Sequence, residues 1–299
     1  MTEPGKKIVA IGGGKGGTGK SFLAVNLGTA LSQKGKKVIL ADLNTQAPCL
    51  HTFLGVPVLE RTFRDFIIDD NATLDAILTD NPLSDVLLMS GGADMPASSP
   101  LSHEQKHRFF SCLKALEYDT LFLDLPTGSS SETADMFLIS NGGLVVFNHL
   151  PTTLEGTYLF IKNIVFRLIS GFFKKEKNIL HFLEEAFPPN SKLEMESLDQ
   201  ILHTLEKLDK TNAEHAYRAL SAFKPSCILN NVVHERETDV VEPFQCLVKK
   251  YLGVDIQFLG VVSQGPEVNS SIENRLPLVL GDPECQVSCE IKAIAGKLE

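Results

Sequence analysis

The feature that most constrains the fold is a glycine-rich stretch near the start of the chain, Gly12-Gly13-Gly14-Lys15-Gly16-Gly17-Thr18-Gly19-Lys20-Ser21. An apolar run at residues 7–11 precedes it and predicts a buried strand, and residues 21–27 predict the start of an amphipathic helix. Glycines let a backbone turn tightly enough to aim successive N–H groups at phosphate oxygens, with the positive end of the helix dipole behind them. The strand, loop and helix together predict a phosphate-binding site.

The spacing within this stretch satisfies G-x-x-x-x-G-K-[ST], the pattern of a P-loop, from Gly14 to Ser21. Lys20 supplies a positive charge to the β- and γ-phosphates, and the Ser21 hydroxyl is a ligand for Mg²⁺. We therefore predict ATP and Mg²⁺ as cofactors, the alternative being a glycine-rich turn that binds no nucleotide. The predicted nucleotide contacts of the loop are Gly14, Gly16, Gly17, Thr18, Gly19, Lys20, Ser21 and Phe22.

The string Lys-Gly-Gly-Thr-Gly-Lys-Ser at residues 15–21 resembles the deviant Walker A motif of the MinD/ParA family of P-loop ATPases. The resemblance implies an α/β fold, namely a P-loop NTPase three-layer sandwich with a mostly parallel central sheet. It also implies an ATP-dependent homodimer in which the first lysine, Lys15, reaches the phosphates bound by the partner. The alternative for Lys15 is an extra cation beside the triphosphate of its own subunit.

Two apolar runs that end in aspartate predict neighbouring strands of this sheet, residues 37–41 before Asp42 and residues 120–123 before Asp124. Ligands of open α/β sheets bind at the carboxyl ends of the strands. The resemblance implies that Asp124 holds Mg²⁺ through water, that Gly128 offers its N–H to the γ-phosphate, and that Asp42 opens the first switch segment. We predict Ser21, Asp42 and Asp124 as the metal set, the alternatives being that Asp42 caps its strand and that Asp124 is structural.

Asn44 departs from the family pattern. The first switch segment of the family reads Asp-x-Asp, and its second aspartate orients the attacking water, but this chain carries Asn44 there. An amide can hydrogen-bond a water molecule but cannot take a proton from it. We predict Lys15, Lys20 and Asn44 as the catalytic residues. Because of Asn44, we expect ATP hydrolysis to be slow or to need activation by a partner. The alternative is an ATP-locked scaffold without turnover.

The last third of the chain contains the residues that we predict to contact the adenine ring. The resemblance implies that an asparagine at the end of the strand at residues 226–230 reads the adenine edge, which makes Asn230 or Asn231 the candidate, although asparagine there is also ordinary turn chemistry. The closing segment around Pro266 resembles that of MinD and its flagellar-placement relative FlhG, and it implies that Pro266 flanks the ring. The resemblance covers residues 6–160 and 226–299.

The intervening part of the chain predicts helices. The helix that begins at Pro151 carries more apolar surface than one core contact needs, and three interpretations are open: burial under the following helices, a dimer or partner groove, and a membrane-surface helix. Further helices are predicted at residues 178–187, 197–208 and 212–222, with Pro188-Pro189 separating the first two. We predict one domain over residues 1–299, with a helical insertion at residues 175–223.

The composition of the chain limits the classes of function that it can have. A net charge of −9 over 299 residues disfavours nonspecific DNA binding and broad attraction to anionic lipid, although a local basic patch remains compatible with it. The six cysteines form no C-x-x-C pair, which counts against the iron–sulfur carrier ATPases related to this family. The chain shows no apolar signal segment, so we expect a cytoplasmic protein, with peripheral contact at the inner face of a membrane as a further interpretation.

These observations predict a Mg·ATP-dependent dimerising switch of the MinD/ParA type, closest to the MinD/FlhG branch. Members of such a family place a flagellum, a division site or a partition complex, and the resemblance implies a protein activator or cargo. The sequence does not distinguish between these structures.

Overall fold

A single sheet forms the centre of the molecule. The computed structural model describes residues 5–45, 47–57, 59–92, 101–140, 142–187 and 197–299. Within them lie the strands β1 (Lys7–Gly12), β2 (Val38–Asp42), β3 (Leu78–Asp80), β4 (Val86–Met89), β5 (Thr120–Asp124), β6 (Leu144–Phe147), β7 (Ser226–Val232) and β8 (Gln257–Ser263). They pair in the order β3-β4-β2-β5-β1-β6-β7-β8. Every pair is parallel except β3 with β4, so the mostly parallel sheet is confirmed.

Helices cover both faces of this sheet. They are α1 (Lys20–Ser32), α2 (Leu50–Phe53), α3 (Phe63–Ile68), α4 (His103–Ala115), α5 (Ser131–Phe137), α6 (Pro151–Ser170), α7 (Lys177–Ala186), α8 (Leu198–Leu208), α9 (Lys210–Ala222), α10 (Val241–Leu252), α11 (Pro266–Glu273), α12 (Leu278–Gly281) and α13 (Gln286–Lys297), with 3-10 turns at Asp75–Ile77 and Glu235–Val240. A capping box begins α4, because Ser102 and Gln105 exchange hydrogen bonds.

The core divides into two layers because successive residues of a strand point to opposite faces. On β1, Ile8 and Ala10 belong to one hydrophobic cluster, which includes residues of α4, α6 and α10. Val9 and Ile11 belong to the other, which includes residues of α1 and α13. The sheet between two helical layers is the predicted three-layer sandwich, and it places the carboxyl ends of β1, β2 and β5 side by side.

The apolar surface of α6 is covered. Phe160 and Ile164 are fully buried, as is Phe173 just after the helix, and the ring of Phe166 lies 5.7 Å from that of Phe187 after α7. Helices α7 and α9 pack against α6, so burial under the following helices is the interpretation that the structure supports. Among the described helices, none combines the length and the apolar character needed to cross a bilayer.

The segment between β2 and β4 differs from the prediction. The sequence of residues 50–80 predicts two short helices, the second beginning near Asn71, but the structure has a 3-10 turn there, followed by the edge strand β3. The sequence did not predict β3, because its three residues are too few to show the alternating apolar pattern of a strand. Its one partner among the described strands is the antiparallel β4. Helix α5 was also not predicted. The loop expected at residues 93–100 and the Pro188-Pro189 break lie outside the described residues.

Candidate nucleotide site

The loop between β1 and α1 has the backbone that a phosphate cradle requires. Gly17 and Gly19 adopt positive φ angles of 75° and 89°, in the left-handed region that glycine favours. Gly19 is also the N-cap of α1, so the positive end of that helix dipole points into the loop. A Cβ at Gly19 would collide with the side-chain nitrogen of Asn230, so no larger residue fits there. The loop is therefore shaped for an anion at the start of α1.

The inner wall of the site, which we define as Lys20, Ser21 and Asp124, unites the P-loop with the end of β5. Lys20 is only 6% exposed although it carries a charge. Burial lowers its pKa, while the nearby Asp124 carboxylate raises it. The Ser21 hydroxyl donates a hydrogen bond of 2.5 Å to Asp124 Oδ2. One subunit thus brings together a cation, a hydroxyl and a carboxylate.

Asp124 meets the requirement of a Mg²⁺ ligand. Its other oxygen, Oδ1, is buried and has no hydrogen-bond partner among the described residues. Burial, and after it the negative charge of Asp42, raise the pKa of Asp124 to about 7, although Ser21 and Lys20 act in the opposite direction. An unpartnered buried carboxylate is costly, and a hard cation with oxygen ligands would remove that cost. The inner wall therefore fits Mg²⁺ at Ser21 and Asp124.

Asp42 occupies the matching position on β2 but is bonded differently. It lies directly opposite Asp124 in the pairing of β2 with β5. Its Oδ1 accepts from the Asn44 N–H, and its Oδ2 accepts from the N–H groups of Cys49 and Leu50 at 2.7 and 3.0 Å. The pKa of Asp42 is raised to about 6, because burial outweighs the opposite effect of these backbone hydrogen bonds. Asp42 therefore holds the start of α2 in place and does not merely cap its own strand.

The outer lip of the site, which we define as Lys15 and Asn44, is more open. Lys15 is exposed, and its side chain lies against α6, because a Cβ at Gly156 would come within 2.9 Å of Lys15 Cγ. Asn44 is half-buried and lines the same cavity as Lys20. Its Nδ2 donates to the Ala47 carbonyl at 3.1 Å, so Oδ1 is the atom left to accept a hydrogen bond from water.

The adenine side contains both predicted asparagines. The Asn230 amide donates to the Thr18 carbonyl at 2.8 Å, so it holds the P-loop in place. Asn231 has a positive φ of 60°, and both residues line the cavity. Pro266 begins α11 but does not line the cavity. Three residues of that helix do line it, and the sequence did not single them out: Val268, Asn269 and Ile272.

The structure modifies the predicted contacts of the P-loop in two ways, one at Gly128 and one at Gly156. The Gly128 N–H donates to the Gly13 carbonyl at 3.4 Å, so it would have to change partner to reach a phosphate. A Cβ at Gly14 would collide with the backbone of Gly156 on α6, so the two glycines meet without side chains between them. Gly156 was missed, although a glycine inside a helical pattern is a recognised signal of close backbone approach.

The cavity enclosed by these residues has a volume of about 440 Å³, which is in the range of small-molecule sites. The remaining predicted loop contacts, Gly16 and Phe22, lie beside it: Gly16 faces the Thr127 methyl group, and Phe22 lines the cavity. Thr18 is buried, and its hydroxyl has no partner among the described residues. A P-loop at the carboxyl edge of a mostly parallel sheet defines the chain as a P-loop nucleotide-binding protein.

Comparison with known families agrees with this class. The family model described as the CobQ/CobB/MinD/ParA nucleotide binding domain matches residues 9–278, so the chain belongs to this family. The members of the MinD/ParA group are P-loop ATPases.

Individual relatives are distant. The chain is 22% identical to the antiactivator FleN of Pseudomonas aeruginosa over 297 residues, covering 98% of this chain and 86% of FleN. It is 32% identical to the septum site-determining protein MinD of Synechocystis over 126 residues, which are 41% of this chain and 46% of that protein. Among solved structures, MinD of Pyrococcus horikoshii complexed with Mg-ADP superposes with a TM-score of 0.64 at 19% identity, covering 98% and 96% of the two chains. That likeness shows a shared fold.

Proposed function

We propose that this chain is a Mg·ATP-dependent switch that dimerises around its nucleotide and helps to position a cellular structure. The observation that carries the proposal is the opposite placement of two lysines in one loop. Lys20 is buried in the inner wall, where it serves the nucleotide of its own subunit. Lys15 is exposed on the outer lip, where a second subunit can be reached.

The inner wall would bind the nucleotide. Ser21 and Asp124 would hold Mg²⁺, and Lys20 would neutralise phosphate charge that the P-loop N–H groups cannot neutralise alone. When bound, Mg²⁺ supplies charge stabilisation for the β- and γ-phosphates. Asp42 would act on the nucleotide indirectly, because it fixes the segment that carries Asn44.

The outer lip would set the rate. Asn44 Oδ1 can accept a hydrogen bond from a water molecule, but the amide cannot remove its proton. Turnover would therefore be slow until a partner completes the site, and Lys15 of one subunit would stabilise phosphate charge on the other. A switch of this kind opens when the γ-phosphate contacts of both subunits are lost.

The comparisons with known proteins support a protein as the partner. The chain resembles an antiactivator over nearly its full length, and one of its structural neighbours is a MinC:MinD cell division protein complex from Aquifex aeolicus. We propose a protein activator or cargo for this chain as well. An ATP-locked scaffold without turnover is the second candidate, and Asn44 in place of a carboxylate is the observation that favours it.

Light scattering and single-turnover hydrolysis test the proposal. We expect a dimer with Mg·ATP and a monomer with Mg·ADP or without nucleotide. A monomer under all three conditions, with ATP binding intact, would contradict the switch. Hydrolysis that remains absent in the presence of the partner would identify the scaffold instead.

A further inference from the structure

A second cavity lies on the same face of the sheet as α4, α5 and α6, away from the P-loop. Its volume is about 650 Å³. Its lining contains six cationic side chains, which we call the basic groove: Lys6, Lys7, Lys106, Lys114, Arg167 and Lys174. Lys7 begins β1, whereas the P-loop follows the end of that strand. At about 3.3 Å per residue, the two sites are separated by roughly 17 Å.

The charge of the basic groove is only partly compensated. Lys6 lies 3.9 Å from the Glu117 carboxylate, which is outside the lining. Asp135 is the one carboxylate among its described lining residues, and two cations share it. Arg167 donates to Asp135 through two nitrogens at 2.6 and 3.0 Å, and Lys106 donates at 3.0 Å. Lys7 gives one of its three N–H donors to the Leu298 carbonyl. Lys114 and Lys174 are exposed at the groove and lie in no ion pair among the described residues.

This concentration of positive charge is unexpected in a chain of net charge −9. It arises because α4 contributes Lys106 and Lys114 to the groove, and the neighbouring α6 contributes Arg167. A concave surface lined with like charges focuses the potential and attracts counter-ions. Ammonium and guanidinium groups are the donors that bind phosphate.

The volume and the charge of the basic groove together indicate a small, anionic ligand. The volume lies within the 300–1,000 Å³ typical of small-molecule sites, and Phe110, Leu138 and Ile139 supply an apolar wall beside the cations. An extended polyanion such as DNA would also face the remainder of an acidic surface. A small anion responds only to charges within about a Debye length, roughly 10 Å at 0.1 M salt. We infer that the basic groove is a binding site for a soluble, phosphorylated small molecule.

Titration calorimetry with inorganic pyrophosphate, at low salt and without Mg²⁺, tests this inference. We expect two sites per chain, one at the P-loop and one in the basic groove. Lys20→Ala should remove the first and leave the second. Lys114→Ala combined with Lys174→Ala should weaken the second about tenfold and leave the first, because each exposed ion pair contributes modestly.

Lys207→Ala is the matched control. Lys207 and Lys114 both lie exposed in the last turn of a helix, α8 and α4, so both variants lose the same interaction with the helix dipole. Pyrophosphate binding should be unchanged in Lys207→Ala. A single site that disappears in Lys20→Ala would overturn the inference and leave the nucleotide site intact. Equal weakening in Lys207→Ala would overturn it as well.

Two further arms use the same variants. A 20-base-pair DNA duplex and vesicles of phosphatidylglycerol should bind more weakly than pyrophosphate, with no dependence on Lys114 and Lys174. Tighter binding of either probe through these lysines would assign the basic groove to a macromolecule and overturn the inference of a small ligand.

Discussion

The inner wall and the outer lip of the nucleotide site are built from adjacent residues but differ in completeness. Lys20, Ser21 and Asp124 are packed into the sheet edge and contact one another within one subunit. Lys15 and Asn44 stand at the opening, where Lys15 is exposed and its side chain lies beside Gly156 of α6. Under the proposed function, this difference means that one chain would bind the nucleotide by itself, whereas a second protein would complete the chemistry at the outer lip.

The largest expected effect comes from the inner wall. Lys20→Ala removes the buried cation and should weaken ATP binding at least about 100-fold, roughly 2.7 kcal/mol, because charge-assisted hydrogen bonds to phosphate are lost. Calorimetry with Mg·ATP measures it. Retained affinity in a folded variant would mean that the inner wall is not the nucleotide site.

Substitution of Asp124, with Asp42 as its control, tests whether the inner wall holds Mg²⁺. Asp124→Asn should lower Mg·ATP affinity about tenfold or more and abolish the benefit of Mg²⁺ over EDTA, because the metal loses its carboxylate. The nucleotide-free variant should also be more stable to urea at pH 8, since an unpartnered buried charge is gone.

Asp42→Asn is the control for that experiment. It should cost about 1–3 kcal/mol of unfolding free energy, because an amide cannot accept all three backbone hydrogen bonds. Its Mg²⁺ dependence should remain. If Asp42→Asn abolished the Mg²⁺ effect and Asp124→Asn did not, the assignment of the two carboxylates would have to be exchanged.

Asn44 tests the outer lip. Asn44→Asp adds a negative charge where the attacking water is to be oriented and adds no bulk, so turnover should rise about ten- to a hundredfold, a barrier change of roughly 1.4–2.7 kcal/mol. Single-turnover assays measure it, and Asn44→Ala should show no gain. An unchanged rate with intact ATP binding would favour the scaffold.

The pH dependence should also report on the inner wall. A carboxyl whose folded pKa is raised stabilises the fold below its unfolded pKa, near 4, and that contribution is lost as pH rises through the folded value. The pKa values of Asp42 and Asp124 are raised to about 6 and about 7. The nucleotide-free protein should therefore lose stability between about pH 4 and pH 7.

Binding of Mg²⁺ with the nucleotide should show the opposite trend. It requires ionised carboxylates, so affinity should increase over the same pH range with release of up to about one proton. Calorimetry in buffers of different ionisation enthalpy counts the protons. A pH slope that persists in Asp124→Asn would assign the titration to another group.

Much of the fold was predictable because its strands are continuous apolar runs bounded by turn residues. β5 was predicted at its observed bounds for this reason. β3 was not, because three residues with one partner strand carry no periodicity. α5 was missed because it has only seven residues, about two helical turns, which are too few to show a clear helical period.

The site was less predictable than the fold. The motif located Lys20, Ser21 and Asp124, because they are close to a strand end in the sequence. The contacts of Gly14 with Gly156 and of Asn230 with Thr18 join parts of the chain that are more than a hundred residues apart. The different bonding of Asp42 and Asp124 likewise depends on where α2 begins, which no local pattern specifies.

The central claim is that Lys20 acts within a subunit and Lys15 acts between subunits. Its most direct test measures ATP affinity by calorimetry and molecular mass by light scattering in Lys15→Ala. The account predicts that Lys15→Ala binds Mg·ATP within about twofold of the unsubstituted protein and remains a monomer under conditions in which the unsubstituted protein dimerises. An ATP-dependent dimer in Lys15→Ala, or loss of ATP binding equal to that in Lys20→Ala, would contradict it.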